Sequence, residues 1–172
     1  VLLRMGQPDG SLIAPGAFLP SAERFHLASR IDRWVLRNAL VRLGQSAGRE
    51  AIELLSVNLS GQSVGDRAFH RWSIDALTEA GPEVCARLCL EITETTAVAH
   101  MADALQFVQQ VRTLGVKVAL DDFGAGASSF GYLKTLPVDV LKIDGQFVRD
   151  VIDDPLDEAA VLLAEPQPGN LD

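Results

Sequence analysis

From residue 52 onward, short runs of apolar and β-branched residues alternate with longer amphipathic stretches. This alternation is typical of repeated βα units, in which parallel strands are covered by the helices that connect them. The pattern predicts strands over 52–58, 86–93, 116–121 and 138–144, and helices over 68–80, 101–114 and 128–135. The sequence therefore predicts an α/β fold with a parallel sheet.

The predicted helix over 101–114 carries apolar residues at three-residue steps, and Gly115 follows it where helices commonly stop. An earlier stretch, 21–43, also has an apolar helical face. Pro15 and Pro20 predict a loop ahead of this earlier helix, because proline is unfavourable inside helices. We therefore expect one helix before the first strand of the sheet.

Composition is that of one globular domain: the chain has 172 residues, of which 48% are hydrophobic and 22% charged. The net charge of −8 argues against binding to duplex nucleic acid. A small phosphate ligand remains compatible with this charge, since bound metal ions can reverse the local field of a site. No apolar stretch approaches the ~20 residues needed to cross a bilayer.

Cys85 and Cys89 are the only cysteines, and their spacing within an apolar run matches neither a zinc pair nor a disulfide framework. We expect two buried thiols, which fits a reducing cytoplasm. The three histidines, His26, His70 and His100, are scattered along the chain and suggest no shared site.

Several polar and aromatic residues before and within the sheet have simple structural interpretations. Arg30, Asp32 and Arg33 are expected to form a solvated helix face. Trp34 and Trp72 are expected to pack helices against the sheet.

Polar side chains stand near the carboxyl ends of the four predicted strands. They are Asn58, Glu91, Asp121 and Lys142, with Glu94 and Asp122 close behind. In parallel α/β folds, ligands bind at this end of the sheet. One such residue alone is more often satisfied by loop backbone, but four at one edge favour a functional site.

The residue types at this edge indicate a chemistry. An amide oxygen and two carboxylates suit a hard divalent cation such as Mg²⁺ or Mn²⁺. Asp121 and Asp122 side by side would be able to hold two ions and activate a water for attack on a phosphodiester, while Lys142 would offset charge on the phosphate or orient the water. Gly124 and Gly126 permit a tight turn but do not complete a G-x-G-x-x-G fingerprint, which disfavours a dinucleotide cofactor.

Four motifs resemble, in order and spacing, those of the EAL domain family of cyclic di-GMP phosphodiesterases. They are Val57-Asn58-Leu59-Ser60, Glu91-Ile92-Thr93-Glu94, Asp121-Asp122-Phe123-Gly124 and Lys142-Ile143-Asp144. Residues 1–4 are similar to the tail of the signature that names the family, and residues 15–34 are similar to its first helical region.

This resemblance implies a modified TIM-type (βα)8 barrel that hydrolyses cyclic di-GMP to linear pGpG with two ions of Mg²⁺ or Mn²⁺. The implied metal ligands are Asn58, Glu91, Asp121 and Asp122, the last of these for the second ion. The implied catalytic residues are Lys142, which would assist the attacking water, Glu94, which would hold the Asp122 loop, and Asp122 itself. Leu3 and Arg4 are the implied substrate-binding residues, with Arg4 at a phosphate.

The sequence departs from the family pattern in two places. The glutamate that opens the family signature would immediately precede Val1. A complete barrel of this type needs about 250 residues, so the barrel is expected to be incomplete as given. Residues 162–168 resemble the segment that follows the last barrel strand, so a stretch is expected to be missing between Val161 and Leu162. We treat residues 1–172 as a single domain.

These residues are compatible with three functional hypotheses. The first is the phosphodiesterase, and the second is a catalytically inactive receptor that binds cyclic di-GMP and signals to a neighbouring domain. Intact Glu91, Asp121, Asp122 and Lys142 favour the enzyme, because a receptor does not need metal-site carboxylates. The third is a structural or protein-interaction domain, in which the charged strand ends would be a solvated rim.

The resemblance is also compatible with a homodimer and with an adjacent sensory or diguanylate cyclase domain in a longer chain. The expected location is the cytoplasm, either as a cytoplasmic protein or as the cytoplasmic domain of a membrane-anchored one.

Overall fold

The computed structural model describes residues 1–46, 52–124, 132–133 and 135–146. Its strands are a short antiparallel ribbon of β1 (Met5–Gly6) and β2 (Leu12–Ile13), and a parallel sheet of β3 (Leu55–Asn58), β4 (Leu88–Thr93), β5 (Lys117–Phe123) and β6 (Val140–Ile143). The four parallel strands lie in the order β3-β4-β5-β6. Each overlaps a strand predicted from the sequence, so the predicted parallel α/β sheet is confirmed.

The helices are α1 (Pro15–Arg24), α2 (Ala28–Gln45), α3 (Gly61–Val64), α4 (Arg67–Ala80), α5 (Pro82–Cys85), α6 (Glu94–Ala99) and α7 (Met101–Thr113). The helices predicted over 68–80 and 101–114 are confirmed as α4 and α7. The prediction for 128–135 falls mostly outside the described residues, and the junction of Val161 with Leu162 falls wholly outside them. No helix of the described residues is long and apolar enough to cross a membrane.

The helical region before the sheet differs from the single helix predicted over 21–43. Two helices form, because His26 takes a left-handed backbone with φ 55° between them. Pro15 is the first residue of α1, where its missing N–H leaves no helical bond unmade. Pro20 lies inside α1, at the cost of one helical hydrogen bond. The predicted loop around these prolines is therefore wrong.

The hydrophobic core lies between the helices and one face of the sheet. α2 packs against α4 and β3, and α7 packs against α4 and β5. The largest fully buried side chains of this core include Leu36 of α2, Phe69 of α4, Phe107 of α7, and Leu90 and Leu120 of the strands. Burying side chains of this size contributes roughly 1.5–3 kcal/mol each, so this layer stabilises the sheet that carries the polar edge.

The predictions for the two cysteines and for Trp72 are confirmed, whereas the prediction for Trp34 is wrong. Cys85 and Cys89 are free and buried, as expected. Trp72 packs against the core. Trp34 is 61% exposed, so its predicted packing role is wrong. It precedes Val35 on α2, and Val35 is the residue that turns inward.

The register of the sheet separates an apolar face from a polar one. Asn58 pairs with Glu91, Glu91 pairs with Ala119, and Ala119 pairs with Val140. Side chains in register across parallel strands point to the same face. Their neighbours in sequence, such as Val57 and Leu90, belong to the hydrophobic core on the opposite face. The polar edge predicted from sequence therefore lies on the face turned away from the core.

A β-bulge interrupts this alternation in β5. Leu120 pairs with Leu141 and Phe123 pairs with Ile143, so the two residues between them on β5 lie opposite Lys142 alone. Leu120 and Phe123 both enter the hydrophobic core. With regular alternation the residue after Asp121 would have entered the core instead. The bulge keeps that carboxylate out of the apolar layer.

Asp122 carries the backbone conformation of this bulge, with φ 55°. A left-handed conformation costs about 1–2 kcal/mol for residues with a Cβ. Replacing Asp122 by glycine or by alanine removes the same carboxylate, and glycine alone relieves the backbone. We expect Asp122→Gly to be more stable than Asp122→Ala by about 0.5–1 kcal/mol, after the greater freedom of glycine in the unfolded chain is subtracted. Urea unfolding of the two variants measures the difference, and equal midpoints would contradict the strained-bulge interpretation.

Candidate active site

The centre of the polar face is a cluster of three charged side chains from three strands. Lys142 of β6 lies with its Nζ 2.9 Å from Asp121 Oδ2 of β5 and 3.3 Å from Glu91 Oε2 of β4. The Glu91 side chain is 10% exposed and that of Lys142 is 41% exposed, so the cluster has a buried floor and an open mouth. Register places Asn58 of β3 beside Glu91.

The ammonium group of Lys142 is held in its charged form. Burial works to lower the pKa of Lys142, but hydrogen bonds and charge from Asp121 and Glu91 outweigh it and raise the pKa above its ordinary value. At neutral pH, Lys142 is therefore a hydrogen-bond donor rather than a proton acceptor.

Asp122 lies on the exposed side of the bulge. Its backbone N–H donates to Asp121 Oδ1 at 3.1 Å. Partial burial and the charges of Asp121 and Asp144 raise the pKa of Asp122, while Lys142 works in the opposite direction. The carboxylate is thus near enough to the cluster to respond to its charges.

The donor set is suited to a divalent cation, although among the described residues no group of three His, Cys, Asp or Glu side chains is arranged to hold a metal ion. Glu91 and Asp121 already converge on one positive charge, the Lys142 ammonium. The amide of Asn58 stands at the adjacent strand end. Two carboxylates and an amide oxygen are hard donors of the kind that Mg²⁺ and Mn²⁺ prefer. The residues present therefore fit such an ion.

Glu94 is buried at the start of α6 and holds the chain that leaves β5. Its Oε2 accepts a hydrogen bond from the backbone N–H of Gly124 at 2.9 Å. Its Oε1 accepts one from the hydroxyl of Tyr132 at 2.6 Å. Sequence reasoning did not assign a role to Tyr132. Tyr132 is the only tyrosine of the chain, and the available signal was that the hydroxyl of a half-buried tyrosine needs a hydrogen-bond partner.

Asp32 was expected on a solvated helix face, and the structure overturns this expectation. It is 8% exposed and its Oδ2 accepts hydrogen bonds from the Ser60 N–H at 2.8 Å, the Ser60 hydroxyl at 2.6 Å and the Ser63 hydroxyl at 2.6 Å. Burial raises the pKa of Asp32, and these bonds oppose that effect. The sequence contained a signal for this burial. Asp32 lies four residues after Ala28 and four before Leu36, so it shares a helix face with two residues that are both buried on α2.

The two substrate-binding residues implied by the resemblance lie in different surroundings. Leu3 packs against the core and lines a cavity of about 380 Å³ together with Asn58 and Thr93. Arg4 is exposed, donates a hydrogen bond to the Leu3 carbonyl at 2.8 Å, and lines a neighbouring groove with Trp34. The structure thus brings Leu3, but not the Arg4 guanidinium, to the cavity beside Asn58.

Comparison with known proteins places this chain in one family. The sequence model of the EAL domain matches residues 1–163. The cyclic di-GMP phosphodiesterase PdeB of Shewanella oneidensis is 40% identical over 162 residues, which are 94% of this chain and 19% of that protein. The bifunctional diguanylate cyclase/cyclic di-GMP phosphodiesterase MucR of Pseudomonas aeruginosa is 38% identical over 165 residues, which are 95% of this chain and 24% of that protein.

A solved structure shows the same fold. The FimX EAL domain from Pseudomonas aeruginosa, bound to c-di-GMP, superposes with a TM-score of 0.79 at 32% identity. The alignment covers 95% of this chain and 65% of that one. The chain spans about a fifth to a quarter of the length of the two curated relatives.

The contact between Glu94 and Tyr132 can be tested by removing the phenol. Tyr132→Phe takes away one hydrogen-bond donor to a buried carboxylate and leaves the ring in place. Hydrogen bonds to charged groups contribute about 1.5–3 kcal/mol, so we expect a loss of unfolding free energy of roughly that size. Urea unfolding measures this loss. Tyr132→Phe with wild-type stability would show that the bond contributes nothing, and Thr113→Val, which removes an exposed hydroxyl on α7, is the matched control.

Proposed function

The chain belongs to the EAL domain family, and we propose that it hydrolyses cyclic di-GMP to linear pGpG with a divalent cation at the carboxyl ends of its parallel strands. Its fold is the TIM-barrel-like α/β fold of EAL domains, and the described residues contain four of the parallel strands. The observation that carries the proposal is the convergence of Glu91 and Asp121 on Lys142, next to Asn58.

Asn58, Glu91 and Asp121 would hold one ion of Mg²⁺ or Mn²⁺, and Asp122 would serve a second. Such ions lower the pKa of a bound water and neutralise charge on a phosphodiester. Lys142 Nζ, already charged and turned toward both carboxylates, would donate hydrogen bonds to the attacking water or to a phosphate oxygen. Glu94 would keep the bulge residue Asp122 in place through Gly124.

Leu3 and Arg4 would bind the dinucleotide. Leu3 already lines the cavity beside Asn58. Arg4 would have to release the Leu3 carbonyl and turn to reach a phosphate, because its guanidinium now donates to that carbonyl. The exposure of Arg4 leaves room for this rotation.

The setting of the domain is also proposed. We place residues 1–172 in one domain of a longer cytoplasmic or membrane-anchored protein with a sensory or diguanylate cyclase domain beside it, and we propose a homodimer. Supporting this setting, one relative is named as both cyclase and phosphodiesterase and is about four times as long as the matched segment. The two free, buried thiols agree with a reducing compartment.

The proposed activity is tested with the full-length protein and Mn²⁺. We expect conversion of cyclic di-GMP to pGpG, and a loss of kcat on the order of 100-fold or more for Asp121→Asn, because a neutral amide is a poorer ligand for the ion. Chromatography of the nucleotides gives the rate, and calorimetry gives the binding of cyclic di-GMP in Ca²⁺. Asp75→Asn, on the exposed face of α4, is the matched control and should keep full activity.

The same experiment separates the alternatives. Tight binding of cyclic di-GMP without product would make the protein a receptor. Absence of both binding and product would favour a structural or protein-interaction domain. Equal rates for wild type and Asp121→Asn would place the reaction elsewhere.

A further inference from the structure

Asp32 is a buried carboxylate that forms three hydrogen bonds to the chain just beyond Asn58. A single oxygen of Asp32, Oδ2, accepts all three bonds. The backbone N–H and the hydroxyl of Ser60 and the hydroxyl of Ser63 donate them. Asp32 of α2 thus binds the turn at Ser60, which lies 28 residues later in the sequence.

That turn is fixed from two sides. Leu59, which follows Asn58, donates its N–H to the Glu91 carbonyl at 2.9 Å and so extends the pairing of β3 with β4. Ser60 then caps α3 by accepting from the Ser63 N–H. With Leu59 bound to β4 and Ser60 bound to Asp32, the backbone on the carboxyl side of Asn58 has little freedom. The orientation of the Asn58 side chain depends on that backbone.

Burial of a carboxylate at this position lowers the free energy of unfolding. Asp32 is 8% exposed and stands among Ala28, Val35 and Leu36 on the buried side of α2. Among the described residues, no Lys, Arg or His forms an ion pair with it. Replacement of a buried charged group by a well-packed apolar one is often neutral or stabilising. Packing alone would therefore favour an apolar residue here, and the carboxylate indicates a requirement for the bonds it accepts.

We propose that Asp32 is a positioning residue for the divalent-cation site: it fixes the turn at Ser60 so that the Asn58 amide oxygen is held beside Glu91 as a ligand. This role rests on the proposed function. It predicts that Asp32 affects cation affinity although it is not itself a ligand. Supporting groups of this kind typically change metal affinity by 10- to 100-fold.

The test measures Mn²⁺ binding to the full-length protein by calorimetry and by the electron paramagnetic resonance of the free ion. Asp32→Asn keeps the shape of the side chain but weakens its acceptors, and we expect an increase in the Kd for Mn²⁺ of about 10-fold or more. The rate of cyclic di-GMP hydrolysis should recover when Mn²⁺ is raised to saturation. Asp103→Asn, which removes a surface partner of Arg67, is the matched control and should bind Mn²⁺ like wild type.

The outcomes distinguish the two proposals. If Asp121→Asn loses Mn²⁺ binding while Asp32→Asn binds like wild type, the proposed cation site is supported and the positioning role of Asp32 is wrong. If activity falls in Asp32→Asn with unchanged Kd and no recovery at high Mn²⁺, Asp32 affects the reaction by a route other than cation binding and the role is also wrong. Wild type that binds no Mn²⁺ overturns both proposals.

A second variant covers the case in which Asp32→Asn does not fold. Ser63→Ala removes only one of the three donors, and the hydroxyl is small and fully buried. We expect this variant to fold, which circular dichroism checks, and its Kd for Mn²⁺ to rise a few-fold. A folded Ser63→Ala protein with wild-type Mn²⁺ affinity would overturn the positioning role.

Discussion

Parallel pairing of β3, β4 and β5 is the constraint on which the rest of this structure depends. With Asn58, Glu91 and Ala119 in register, every second side chain on these strands faces the helices and the others face away. The core therefore takes one face and leaves the other to polar groups at the carboxyl edge. A shift of β4 by one residue relative to β3 and β5 would exchange the two sets of side chains on β4 and put Glu91 into the apolar layer. The free energy of the core thus fixes the geometry of the site.

Electrostatics supplies the second condition. Glu91 and Asp121 are two carboxylates brought together by strand geometry, and like charges so close repel unless a cation lies between them. In the protein without a bound ion, Lys142 is that cation, with its Nζ 2.9 Å from Asp121 Oδ2 and 3.3 Å from Glu91 Oε2. A divalent ion drawing on the same oxygens would share this role with the ammonium. The cluster is therefore built around positive charge before any ligand arrives.

Hydrophobic periodicity predicted the regular elements, whereas features set by local backbone conformation were missed. The strands, α4, α7 and the shared edge of Asn58, Glu91, Asp121 and Lys142 result from hydrophobic spacing and parallel pairing. The break at His26 and the bulge at Asp122 depend on left-handed backbone at residues other than glycine, which composition does not reveal. Contacts between distant residues, such as Tyr132 with Glu94, depend on tertiary packing that no local pattern encodes.

The bulge in β5 reconciles opposite demands on two residues, Asp121 and Phe123, that lie two positions apart. Phe123 must enter the core, since the face below it is lined by Val118 and Leu120, and Asp121 must share the polar face with Glu91. Regular alternation cannot satisfy both, because it would place Asp121 and Phe123 on the same side. One extra residue on β5 opposite Lys142 resolves the conflict and leaves Asp122 exposed beside the cluster. The exposed acid at the mouth of the site is thus a consequence of keeping both the core and the polar edge intact.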